Sequence, residues 1–74
     1  MKKTIEQLDE MMCSQFGKKF CAVYDGENKD TFIVEVIEGY EDVTKIIIEE
    51  SGYEILGETW FSGSEWNGTA FTIR

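Results

Sequence analysis

Histidine and proline are both missing from the 74 residues of this chain, and cysteine occurs only as Cys13 and Cys21. Without histidine there is no usual proton shuttle and no usual activator of a serine or cysteine nucleophile, so an enzyme is not expected. Two cysteines do not make a disulfide framework, and a structural zinc site would have to recruit carboxylates. Both thiols are expected as small buried or half-buried apolar groups in a cytoplasmic protein, with no cofactor. Long apolar runs are missing too. No run, Ile46-Ile47-Ile48 included, comes near the roughly 20 residues of a membrane span. The opening Met-Lys-Lys-Thr-Ile-Glu turns acidic and amphipathic where a signal peptide would become uniformly apolar. Neither phosphate-binding glycine patterns nor a calcium loop is present. The segment Asp25 to Asp30 lacks the ligand spacing of such a loop and reads as a turn.

Positive charge is scarce in one part of the chain. From Asp30 to Ile73 ten carboxylates face the single cation Lys45, a net charge of −9 in 44 residues. The first 29 residues hold five acids and five lysines, and Arg74 adds one positive charge, so the whole −8 belongs to the second part. Every phosphate contact draws its affinity from lysine or arginine, so direct binding to nucleic acid is not expected. Lys18-Lys19, beside Phe16 and Phe20, suits a helix C-terminus or a guarded strand edge.

What the chain does contain is enough to fold. A length of 74 residues means one small domain, spanning 1–74, that hides only about 60% of the surface its unfolded chain exposes. Its stability should be on the order of 4 to 11 kcal/mol. The apolar content is too high for a disordered acidic tail. Thr4 and Gln7 have the spacing of a capping box, and Ile5, Leu8, Met12 and Phe16 repeat on one helical face before Gly17, which predicts a helix over 5–16. Lys18 to Tyr24 and Thr31 to Glu38 alternate as strands, joined by a polar turn containing Asp25-Gly26. Asp42 to Ser51 reads as a second helix with Asp42 as N-cap, a stripe of Val43, Ile46 and Ile47, and a stop at Gly52. Tyr53 to Phe61 and Thr69 to Ile73 read as two further strands around a loop ending in Asn67-Gly68. The α-β-β-α-β-β order predicts a two-layer α+β domain, a mainly antiparallel sheet with both helices on one face.

Strand alternation then sorts the side chains. With Phe32, Val34, Val36, Tyr53, Ile55, Thr59 and Phe61 facing the helices, the outer face receives Ile33, Glu35, Ile37, Glu54, Leu56, Glu58 and Trp60. An outer face both apolar and acidic has the composition of a binding surface. Carboxylates two apart on a strand are about 6.6 Å apart, and those four apart on a helix about 6 Å apart along the axis. Glu35, Glu54 and Glu58, with Glu38, Glu41 and Asp42 at the following turn, are thus candidates for one negative ridge that imitates a nucleic-acid backbone. Trp60 and Trp66 are the candidate anchors. The expected partner is a basic protein, such as a nuclease or a nucleoprotein effector, whose nucleic-acid site the chain would block.

Three simpler readings stand beside this one. Net negative charge alone keeps small proteins soluble. The adjacent pairs Glu41-Asp42 and Glu49-Glu50 could serve a carboxylate-only metal enzyme, but neighbours on a helix point about 100° apart and read as a solvated face. The apolar sheet face could also pair with itself in a homodimer burying Ile33, Ile37, Leu56 and Trp60, at the cost of bringing Glu35, Glu54 and Glu58 near their symmetry mates. In size, acidity and lack of catalytic machinery the whole chain resembles small phage-encoded inhibitors of host defence, anti-CRISPR proteins among them, and nuclease immunity proteins. That likeness is one of general character and assigns no residue a role.

Overall fold

Thr4 and Gln7 hold the start of the first helix between them. In the computed structural model, which describes residues 2–74, the Gln7 N–H donates to Thr4 Oγ1 at 3.2 Å and the Thr4 N–H donates to Gln7 Oε1 at 2.9 Å. This reciprocal cap satisfies two of the N–H groups that a helix start leaves free. Helix α1 runs Ile5–Phe16 and stops where Gly17 adopts a φ of 84°, its N–H donating to Cys13 O. Strands β1 (Cys21–Asp25) and β2 (Phe32–Ile37) follow, then helix α2 (Glu41–Glu50), then β3 (Ile55–Ser62) and β4 (Asn67–Ile73). The four strands form one antiparallel sheet in the order β1-β2-β4-β3. Both helices pack on one face of it, α1 against β1 and α2 against β2 and β3. The α+β architecture and its element order are those the sequence predicts.

The core lies between the helices and the two central strands. Leu8 and Met12 of α1 and Ile48 of α2 meet Val34, Val36, Phe71 and Ile73, all fully buried. Each of these side chains contributes on the order of 1.5 to 3 kcal/mol by leaving water. The end of α2 forms a Schellman turn: the Tyr53 N–H donates to Ile48 O and the Gly52 N–H to Glu49 O, with Gly52 at φ 91°. A second set of bonds ties the N-terminal segment to that turn. Lys3 donates its N–H to Ser51 O at 2.9 Å, and the Tyr53 hydroxyl donates to Lys3 O at 2.8 Å.

Three local expectations are corrected. Helix α2 begins at Glu41 with Tyr40 in the cap position, so Asp42 lies in the first turn and does not cap. Its buried stripe is Thr44, Ile48 and the following Ser51, with Ile47 half-buried, while Val43 and Ile46 are 41% and 55% exposed. Both ends of α2 fix this rotation: the Glu41 carboxylate is bonded to Thr69 on the sheet, and Ser51 is buried, its hydroxyl donating to Ile47 O. The third correction concerns β3. Ile55 pairs with Ile73 but Gly57 pairs with Thr72, so a bulge at Leu56 inserts one residue and exchanges the faces of everything after it. Glu58 and Trp60 pair with Phe71 and Thr69 on the helix side, whereas Thr59 and Phe61 pair with Ala70 and Gly68 on the outer side.

Candidate functional site

The bulge divides the predicted ridge. Glu35 stays on the outer face, level with Ala22 and Ala70, and accepts a hydrogen bond from the Tyr24 hydroxyl. Loss of water and the adjacent carboxylate push the Tyr24 phenol up to about 12. Trp66 is on the same face near the sheet end, edge-to-face with Phe61 at 5.5 Å, over the bare backbone of Gly68. A Cβ at Gly68 would run into the Val36 carbonyl and sit 2.9 Å from Trp66 Cζ3. Glu54 stands apart at a corner of the sheet, where it exchanges backbone bonds with Arg74 and pairs with its guanidinium at 3.1 Å. Glu38, exposed at the end of β2, donates its N–H to Asn67 O.

A different group converges on the helix side. Glu41 is folded back at the start of α2, its carboxylate accepting from the Gly39 N–H at 3.0 and 3.1 Å and from the Thr69 hydroxyl at 3.2 Å. Its own N–H and that of Gly39, then the Thr69 hydroxyl, hold the carboxyl below the ordinary range. One turn on, Lys45 Nζ reaches Glu58 Oε1 across to β3 at 3.0 Å. This contact, supported by Asp42 and Glu49 on the same helix, raises the lysine pKa. Beside Glu58 on the same strand face, Trp60 is 59% exposed, the most exposed of the large apolar residues. Glu41, Asp42, Glu49 and Glu58 therefore surround one lysine, with an open indole next to them.

Charge on this side is not neutralised by the pairing. Among the described residues the only ion pairs are Lys45–Glu58 and Arg74–Glu54. Both are exposed, and such pairs are worth about 0 to 1 kcal/mol, so their role in stability is small. The surface can attract cations and steer a basic partner over a distance of about 8 Å at physiological salt. Among the described residues no three carboxylates or thiols converge in a metal-binding group. Cys13 and Cys21 are both free thiols, half-buried and buried; burial, then the neighbouring Cys13, pushes the Cys21 thiol up to about 11. Such a thiol is a poor nucleophile.

Of the eight residues expected to act together, Glu41, Asp42, Glu58 and Trp60 share a side, Glu35 and Trp66 lie on the opposite face, and Glu38 and Glu54 sit at the ends. The apolar homodimer face expected from Ile33, Ile37, Leu56 and Trp60 is not assembled either, because Trp60 lies across the sheet from Ile33 and Ile37. Sequence reasoning missed Lys45 and Thr69 as members of the site. Gly57 was the available signal for the bulge alone, since a glycine inside a strand pattern often marks one. Comparison of the chain with protein-family models, with curated proteins and with solved structures returned no match. No described helix is long and apolar enough to cross a membrane.

Proposed function

We infer that this chain is a non-enzymatic binding protein of the cytoplasm that docks its acidic side onto a basic nucleic-acid-handling protein and blocks that protein's nucleic-acid site. The observation that carries the reading is the cluster of Glu41, Asp42, Glu49 and Glu58 around a single lysine, with Trp60 exposed beside it. An acidic surface without an anchor would serve solubility alone, whereas an exposed tryptophan next to fixed carboxylates has the make-up of an interface centre. The carboxylates supply speed and orientation of approach, and the indole supplies affinity. The class of partner follows from the charge: a cleft lined with lysine and arginine to hold phosphates, as in a nuclease or a nucleoprotein effector, also attracts this surface. The working resemblance is to nucleic-acid mimics such as phage-encoded anti-CRISPR or nuclease-immunity proteins.

The test is retention on the immobilised chain from an extract of its native host, followed by a challenge with duplex DNA at constant salt. Basic proteins that are retained and then released by DNA meet the expectation. Retained partners that hold DNA and the chain together refute blockade of the nucleic-acid site.

A further inference from the structure

The open edge of β3 offers backbone as well as charge. β3 is an outer strand, bonded to β4 on one side only. Two bonded pairs beyond its ends fix which of its groups face outward: Glu54 and Arg74 exchange both N–H···O bonds, and the Gly63 N–H donates to Trp66 O. Antiparallel pairs alternate between bonded and non-bonded, and one residue is inserted at the bulge. Gly57, Thr59 and Phe61 therefore turn their N–H and C=O groups toward β4, and Glu58, Trp60 and Ser62 turn theirs to solvent. Among the described residues, no backbone bond from a loop or another element reaches those three.

Natural sheet edges are blunted by shortness, lysine, proline, bulges or inward-pointing charges. The other edge, β1, is five residues long and follows Lys18 and Lys19. β3 is eight residues long and holds neither lysine nor proline; its bulge guards only the end at Leu56, and the six residues beyond carry one charge, Glu58. A negative charge at the middle of an open edge discriminates between strands. It opposes a second copy paired across a two-fold axis near Glu58, since both copies bring a net charge of −8. It admits a strand bearing lysine or arginine, whose cations would share Glu58 with Lys45 and, from α2 above, meet Asp42 and Glu49, so that three carboxylates still outnumber the one lysine there.

We propose that the edge of β3 accepts an extended basic segment of the partner protein as a fifth strand, hydrogen-bonded to the backbone of Glu58, Trp60 and Ser62. Trp60 lies against the added strand on the helix side, and the bulge at Leu56 ends the pairing. This rests on the binding function inferred above and adds its mode and the chemistry of the contacting segment.

The probe is a ten-residue peptide alternating lysine with valine, compared with the same peptide N-methylated at its four central amides. The two carry equal charge, and only the first can extend the sheet. The unmodified peptide is expected to bind, to slow hydrogen exchange at the Glu58, Trp60 and Ser62 amides by at least about tenfold, and to bind about tenfold or more tightly than its methylated form. A Ser62→Pro variant, which removes an outward N–H and leaves the ladder to β4 intact, is expected to weaken binding of the unmodified peptide only. Equal affinity of the two peptides, protection at other amides, or no binding at millimolar peptide overturns strand addition. So does self-association of the chain in sedimentation, which would make a second copy the occupant of the edge. Release of a captured partner by DNA without these exchange effects overturns strand addition alone, and the reverse outcome overturns only the blocking function.

Discussion

Replacing Thr44 with valine should make this protein more stable. Thr44 lies on the inner stripe of α2, fully buried, and its Oγ1 has no hydrogen-bond partner. A hydroxyl taken out of water without a partner costs on the order of 1 to 3 kcal/mol, and valine fills the same volume with a methyl group in its place. Threonine and valine are close in helix propensity, so α2 itself gains or loses little. The expected gain is about 1 to 2 kcal/mol against a total stability on the order of 4 to 11 kcal/mol. For a domain of this size each kcal/mol raises the thermal midpoint by about 4 to 8 °C. Urea unfolding followed by tryptophan fluorescence measures the change, with the slope expected to stay the same so that the midpoint alone reports stability. Ile48→Ala on the same stripe should destabilise by about 2 to 5 kcal/mol, while Val43→Thr on the exposed side should move stability by less than about 0.5 kcal/mol. A neutral or destabilised Thr44→Val would mean that the hydroxyl has a partner and that α2 is turned away from the orientation described.

Gly68→Ala should destabilise by about 3 kcal/mol or more, because its Cβ meets the Val36 carbonyl and the Trp66 ring at once; near-UV circular dichroism at the tryptophan bands would show whether Trp66 is displaced. The Tyr24 phenol sits above its ordinary value, so the stability it contributes is complete below about pH 10 and is lost as pH rises toward 12. Alkaline unfolding midpoints for the wild type and for Tyr24→Phe should converge in that window, and parallel curves would refute the coupling. For Glu41 the sign is opposite: its carboxyl is held low, so its contribution is present at neutral pH and lost on acidification, and the Glu41→Gln deficit should vanish as pH falls through the carboxylate range. Reversing Asp42 and Glu49 to lysine should slow association with the basic partner and flatten its salt dependence without altering the far-UV spectrum; an unchanged association rate contradicts charge steering.

The elements that were legible in the sequence are those whose signals are local. The Thr4–Gln7 cap and the Gly17 stop delimit α1 without help from the rest of the chain. In β2, hydrophobic alternation puts Val34 and Val36 inside because a two-sided strand between two neighbours tolerates no slip. The face of α2 was less accessible: with isoleucine at 46, 47 and 48, several helical stripes are almost equally apolar, and bonds to Thr69 and within the Ser51 turn decide between them. The candidate ridge failed for a similar reason. Alternation carried from Ile55 to Trp60 assumes an unbroken strand, and one inserted residue at Leu56 sends Glu58 and Trp60 to the helix side. The acidic site that remains depends on a contact between α2 and β3, 13 positions apart at Lys45 and Glu58, which no local spacing announces.

Competition between this chain and DNA for one purified partner tests the proposed function most directly. The partner's affinity for a labelled duplex is measured at rising concentrations of the chain, first at about 50 mM and then at about 200 mM salt, where charge-dependent contacts weaken steeply. Blockade of the nucleic-acid site requires that the apparent duplex Kd rise in proportion to the free chain, and that the effect shrink at the higher salt. A ternary complex of partner, duplex and chain, with the duplex affinity unchanged, would contradict it.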